Sequence, residues 1–259
     1  MCCRFYIDKE SPEMQKIIAQ MNRSPLMQRW QTSQFEAFAV GSQPSSLHDG
    51  ISSSPTQDAQ IHSSASIAAA SMPSVTTPLD IHPTDLAPVI APDRNGQPAV
   101  FPMQWGYNAR SLLINARVET AAEKPTFRED WIRHRCIIPA SGYYEWEHLS
   151  APDNKPKTGD KYAIYPMHST ITWLCGLYRI EAGLPHFVVL TREPADSIRF
   201  IHERMPLLLS EDYLSSWLAP TTNPVGLLQH AITDMTFLRF RNEVSPPYTR
   251  RGINTAPGS

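Results

Sequence analysis

Apolar residues recur along this chain mostly in short runs, and a sustained helical spacing appears only near the start. After Ser11-Pro12-Glu13, a helix start signal with Pro at an early position, Met14, Ile17, Ile18 and Met21 fall on one helical face. That spacing predicts helix, with breaks, over residues 11–41. Leu86–Ile90 and Pro98–Gly106 then read as strands, joined through the hairpin signal Asn95-Gly96. Further strands are predicted at Arg135–Pro139, Gly142–Glu147, Lys161–Pro166, Ile171–Ile180 and Pro185–Thr191. Short helices are predicted at Arg128–His134, Pro194–Phe200, Ser210–Leu218 and Val225–Ala231. Many short strands with interspersed short helices, and no βαβ rhythm, define an α+β class. The expected architecture is a mainly antiparallel β-sheet forming an irregular barrel-like core with short peripheral helices. There is no internal repeat and no G-x-G-x-x-G or Walker A pattern.

Composition changes this picture in one place. From Ser42 to about Pro78 the chain is dominated by Ser, Ala, Pro, Thr and Gln, with no Lys, Arg or Glu. This predicts a low-complexity insertion, mostly disordered, inside one domain spanning 1–240. Loop-closure entropy grows slowly with length, so a fold tolerates such an insert. Residues 241–259 form a separate tail. Across 259 residues, 41% are hydrophobic, which excludes global disorder. With 23 Lys+Arg against 25 Asp+Glu the chain is no polycation, although a basic groove can sit on a neutral protein. No apolar run reaches the roughly 20 residues that span a bilayer. The start, Met1-Cys2-Cys3-Arg4-Phe5-Tyr6-Ile7-Asp8, has no apolar h-region, so a cytoplasmic protein is expected. Cys2, Cys3, Cys136 and Cys175 form no C-x-x-C pair, and Cys136 and Cys175 read as buried apolar filler.

Four segments could carry chemistry. Removal of Met1 would leave Cys2 with an α-amine and a thiol on neighbouring carbons. That pair closes onto aldehydes: the amine forms an imine and the thiol adds to give a five-membered thiazolidine. In Leu112–Thr120, Asn115, Arg117 and Glu119 alternate on one face of an extended segment. They form either a solvated strand face with an Arg–Glu pair or a polar floor for an anionic ligand. In Cys136–Trp146, Glu145 is flanked by aromatics. It is either an exposed acid on a half-buried strand or a carboxyl in apolar surroundings that favour its protonated form, as acid/base work needs. In Ile201–Pro206, His202 suits proton transfer near neutrality or serves a structural role. No metal site is expected, since no second His or Cys stands at ligand spacing.

Taken together, these segments resemble the SRAP family, the SOS-response-associated peptidases. The family's Met-Cys-Gly-Arg opening corresponds to Met1-Cys2-Cys3-Arg4, and its Asn-Ala-Arg-x-Glu-Thr motif to Asn115–Thr120. Its Arg-Cys-x-x-Pro-Ala-x-Gly-aromatic-aromatic-Glu-Trp motif corresponds to Arg135–Trp146, and its Ile-His-x-Arg-Met-Pro motif to Ile201–Pro206. Leu86-Ala87-Pro88 and Trp105-Gly106 also look like family positions. The resemblance implies a protein, acting as a monomer without cofactors, that binds single-stranded DNA at abasic sites. It implies a thiazolidine cross-link made through Cys2, with self-processing of Met1. It casts Asn115 as the residue positioning the N-terminus and sugar. Glu145 becomes the acid/base and His202 the aid to sugar ring opening and cross-link reversal. Arg4, Arg117 and Thr191 fall where the family contacts DNA phosphates. Two departures stand out: Cys3 replaces the family Gly, and the loop Tyr107–Ser111 carries only Tyr107 as an aromatic. Competing readings are an N-terminal-nucleophile cysteine peptidase and a non-catalytic single-strand DNA binder.

Overall fold

Short, β-branched and aromatic-rich runs punctuated by turn residues leave most of the chain in strands. The computed structural model describes residues 2–32, 78–150 and 156–240. In chain order the first elements are β1 (Phe5–Ile7), α1 (Pro12–Arg23), α2 (residues 25–32), β2 (Leu79–Ile81), β3 (Leu86–Pro92) and β4 (Pro98–Trp105). Next come β5 (Asn115–Arg117), α3 (Val118–Ala121), α4 (Arg128–Arg133), β6 (Arg135–Ala140), β7 (Gly142–Ser150) and β8 (Pro156–Pro166). The last are β9 (Thr172–Glu181), β10 (Leu184–Arg192), β11 (Met205–Pro206), α5 (Leu214–Leu218) and β12 (Met235–Phe240).

The strands form two sheets. One runs in the order β12-β8-β7-β1-β2 and is antiparallel throughout. The other runs β11-β10-β4-β3-β6-β9, and β9 pairs back onto β10, so β10, β4, β3, β6 and β9 close a barrel. Closure removes free strand edges. β5 adds to β10 in parallel, placing Asn115 opposite Val189 and Arg117 opposite Thr191. The α+β, mainly antiparallel and barrel-like architecture expected from the sequence is therefore the one observed. Every residue of β6 is buried, and Cys136 and Cys175 lie in the core as expected. The two sheets meet through Phe5 of β1, whose ring lies 5.1 Å from that of Trp105 on β4.

Several local predictions hold for visible reasons. Ser11 caps α1 by accepting from the Met14 N–H, with Pro12 at the first position. Ser24, extended before Pro25, separates α1 from α2. The β3–β4 turn uses Gly96 at φ 75°, and the Asp93 carboxylate accepts from the Asn95 and Gln97 N–H groups.

Others are corrected. Extended structure ends at Arg117, and the chain turns into α3, so Glu119 does not share a strand face with Asn115 and Arg117. The turn is completed by the Glu123 and Lys124 N–H groups, which both bond to the Thr120 carbonyl. The helices expected at Pro194–Phe200 and Val225–Ala231 are 3₁₀ segments, Asp196–Ile198 and Pro224–His230; Ser210–Leu218 opens with 3₁₀ Glu211–Tyr213 before α5. The sequence pattern does not predict strands β1, β2, β11 and β12. The predicted insertion at 42–78, apart from Pro78, and the tail at 241–259 lie outside the described residues.

One buried cation braces the rim of the core. Arg135, 2% exposed, donates to the carbonyls of Trp131, Ile132, Trp217, Ala219 and Thr222. Burial alone lowers its pKa. It ties α4 to the end of α5. Arg135→Leu should leave these carbonyls unmet and cost about 3 kcal/mol or more. Urea denaturation checks this, and a loss under 1 kcal/mol would contradict the assignment.

Candidate active site

The site is built where β1 of the open sheet reaches the barrel. Cys2 precedes β1 and is fully buried, with its Sγ donating to the Arg4 carbonyl at 3.8 Å. Its own carbonyl accepts from Asn115 Nδ2 at 2.7 Å. Asn115 is delivered by β5, which is held by β10. The N-terminal segment is thus pinned to the barrel by one side-chain amide 113 positions away.

Glu145 comes from β7. Period-two alternation puts it on the face of Tyr143, opposite to Tyr144 and Trp146. Tyr144 and Trp146 lie on the other face against cations: Lys161 Nζ is 3.5 Å from the Tyr144 ring centre, and the Arg4 guanidinium is 5.1 Å from that of Trp146. Glu145 is 3% exposed, and burial raises its pKa from 4.5 to about 7, against the lowering effect of the chain's amino-terminal charge. Burial, then the charge of Glu145, likewise push the Cys2 thiol well above its ordinary value.

His202 sits in the turn before β11. Its Nδ1 accepts from the Arg204 N–H at 2.9 Å, and its ring centre is 4.3 Å from that of His148. The His148 N–H bonds to the Ile201 carbonyl, which joins this turn to the strand that carries Glu145. Burial, then the amino-terminal charge and His148, lower the His202 pKa to about 4. A cavity of about 360 Å³ opens beside it, lined by His148, Arg199, Phe200, His202 and the carboxylates Glu193 and Glu203. Cys2 thus lies close enough to Glu145 to feel its charge, and the His148–Ile201 bond ties the His202 turn to the strand that carries Glu145.

Arg204 organises the floor. Its guanidinium forks onto Glu119 at 2.8 and 2.9 Å and donates to the Thr191 carbonyl at 2.7 Å. Glu119 is therefore a partner of Arg204, and the Arg204 guanidinium lowers its pKa against the opposing effect of burial. Thr191 is fully buried, with its hydroxyl towards the Ala116 carbonyl at 3.5 Å. Arg117 beside it is exposed. Arg4 is half-buried, 3.8 Å from Asp80.

Sequence reasoning passed over Tyr143, Arg204 and His148. Tyr143 is fully buried. Its hydroxyl, like Asn115 Oδ1, has no hydrogen-bond partner among the described residues. The i, i+2 spacing of Tyr143 and Glu145 was readable. His148 was not, because the β7–β8 register shifts between Trp146 and His148 and breaks the alternation. Among the described residues no group of three or more His, Cys, Asp or Glu could hold a metal ion, and no helix is long and apolar enough to cross a membrane.

A closed barrel carrying a cysteine at position 2 near a buried acid is one class of site, and comparison with known proteins gives that class its name. The family model described as SOS response associated peptidase (SRAP) matches residues 1–246, and the chain belongs to this family. Curated relatives include the abasic site processing protein YoaM of Bacillus subtilis, 37% identical over 122 residues covering 45% of this chain and 52% of YoaM. The abasic site processing protein YedK of Escherichia coli is 32% identical over 128 residues, covering 45% of this chain and 54% of YedK. The chain thus spans about half the length of the curated relatives it matches. A solved structure from Bacteroides thetaiotaomicron is similar, with a TM-score of 0.52 and 25% identity over 63% of this chain and 78% of that one.

The Glu145 shift has a measurable sign. Its folded pKa, about 7, exceeds the unfolded 4.5, so the folded state holds the proton more tightly. The stability this gives is present in full below pH 4.5 and is lost as pH rises through 7. Glu145→Gln should therefore raise stability at pH 8 by up to about 3 kcal/mol, with little change at pH 4. Denaturant melts at the two pH values check this, and equal effects at both would refute the buried-acid assignment. Asn115→Ala should cost about 1 kcal/mol and speed amide hydrogen exchange at residues 2–5.

Proposed function

We propose that this chain processes abasic sites in single-stranded DNA, forming a covalent thiazolidine through Cys2 once Met1 is removed. The observation that carries this reading is Cys2 itself, its carbonyl held by Asn115 and its thiol close enough to Glu145 to feel that charge. The names of the relatives, abasic site processing proteins, point the same way.

The chemistry follows from the protonation states. The opened abasic sugar presents a C1′ aldehyde. The neutral Cys2 amine adds to it, and the carbinolamine loses water to give an imine. The imine carries its N–H, as the iminium; the thiol adds to its carbon while giving its proton to Glu145, and the ring closes with that N–H retained; the net change is aldehyde plus aminothiol to thiazolidine plus water. Glu145, balanced near neutrality, gives a proton to the departing hydroxyl and takes one from the thiol. His202 assists sugar ring opening and the reverse reaction. Asn115 fixes the backbone of the reacting residue. Arg4 and Arg117 meet phosphates, with Thr191 beneath Arg117 on the same floor. Removal of Met1 is a self-processing step in which Glu145 serves as the acid/base.

A plain cysteine peptidase is less well served. Such an enzyme needs a thiolate near neutrality, whereas the Cys2 thiol is pushed up. An amine-first reaction needs no thiolate at its first step.

Cys3 carries its nitrogen in a peptide bond and cannot close a thiazolidine. Incubation with an abasic oligonucleotide, followed by a denaturing gel, should show a stable adduct. Cys2→Ala should abolish it and Cys3→Gly should preserve it. Intact mass should show the mature chain starting at Cys2. A denaturation-stable adduct from Cys2→Ala would overturn the mechanism. Arg117→Ala should weaken binding to all sequences alike and reduce the salt slope by about one phosphate, roughly 0.7 in log–log units for single strands.

A further inference from the structure

We infer that His202 works as a fixed, uncharged hydrogen-bond donor through Nε2–H and does not itself carry protons to or from the sugar. The inference rests on the reading proposed above for the substrate, but its structural basis is independent of DNA.

The ring has two nitrogens, and the structure fixes the role of Nδ1. Nδ1 accepts from the Arg204 backbone N–H at 2.9 Å. A neutral imidazole whose Nδ1 accepts must carry its single proton on Nε2. Base catalysis by Nε2 is then closed, because that nitrogen already holds a proton. Acid catalysis needs the imidazolium, whose Nδ1–H would face the Arg204 N–H donor head-on. The clash cannot be relieved easily by moving Arg204, since its guanidinium is forked onto Glu119 and bonded to the Thr191 carbonyl.

The surroundings act in the same direction. The ring is buried, at 6% exposure, and the His148 ring lies against it. The charged groups around it are Glu203 beside it in the chain, Glu193 and Arg199 across the shared cavity, and the amino terminus. Glu203 and a hydrogen bond with the Arg204 backbone favour the imidazolium, and burial, the amino-terminal charge and His148 outweigh them.

The division of labour this implies is balanced in atoms. As the hemiacetal opens, the C1′–O4′ bond breaks and its electron pair goes to O4′. Protonated Glu145 supplies the proton that O4′ takes, and the C1′ hydroxyl returns one to Glu145, leaving C1′ as the aldehyde. His202 Nε2–H lowers the barrier by donating to the oxygen on which charge builds and keeps its proton throughout.

Two measurements on the full mature chain test this. In nitrogen-15 NMR, the His202 ring should show a protonated Nε2 and an unprotonated Nδ1 from pH 5.5 to 8, with no titration in that range. In cross-linking to an abasic oligonucleotide, His202→Ala should slow the reaction about 100-fold. His202→Gln, whose side-chain amide places a donor near the Nε2 position, should recover at least a tenfold rate over His202→Ala; His202→Asn, which mimics Nδ1, should not. A ring that titrates between pH 5.5 and 7, or a His202→Gln variant as slow as His202→Ala, overturns the inference. If the wild-type chain made no adduct, the proposed function would fall, and the NMR result would still decide the state of the ring.

Discussion

One guanidinium joins pieces of this fold that come from distant parts of the chain. Arg204 grips Glu119 at the start of α3 and the Thr191 carbonyl on β10, while its backbone N–H holds the His202 ring. At 9% side-chain exposure the cation is largely desolvated, so the fork onto a carboxylate is what makes its burial tolerable. The consequence is geometric. β5 must stop at Arg117 so that α3 can bring Glu119 back to Arg204, and stopping there leaves Asn115 to reach Cys2. The strand that ties Asn115 to Cys2 and the turn that orients His202 thus meet at one residue, Arg204, through its contacts with Glu119 and Thr191.

The second constraint is the cost of charge in a closed site. Cys2 and Glu145 are nearly inaccessible, and burial drives each towards its neutral form: thiol and acid. His202 is driven the same way, to neutral imidazole. The stability windows of the two ionisable side chains oppose one another. The Glu145 contribution falls as pH rises from 4.5 towards 7, and the His202 contribution rises as pH rises from 4 towards 6.5. Burial thus disfavours charge on all three side chains, whereas the cations Arg4 and Arg117 are less buried.

Much of this was legible in the sequence, for reasons that differ by residue. The barrel strands were readable because each is a continuous apolar run bounded by Gly, Pro or Asn, as at Pro98–Trp105 and Leu184–Arg192. Glu145 and Cys2 stand out as candidates because a carboxyl among aromatics and a second-position cysteine have distinctive properties, and both are buried in the fold. The strand β1 was not, because Phe5–Ile7 is three residues long and takes its conformation from pairing with Ile81 and Tyr143, far along the chain. Glu119 was misplaced for the same kind of reason. An alternating Asn-x-Arg-x-Glu pattern fits a strand locally, but the ion pair to Arg204, 85 positions away, overrides it.

Cys3 shows how far position outweighs residue type. It is exposed, neighbours the buried Cys2 and has a less perturbed thiol, so a search for reactive cysteines by accessibility alone would choose it. The thiazolidine chemistry proposed for this chain makes a different demand, for an amine and a thiol on adjacent carbons of one residue, and of the two only Cys2 would meet it, once Met1 were removed. The hydrogen bond from Asn115 to the Cys2 carbonyl sharpens the distinction, because it fixes the residue on the peptide side and leaves its nitrogen uncommitted by that contact. In the proposed reaction this anchor would stand immediately after the amine and thiol, leaving few torsions to order before a five-membered ring could close.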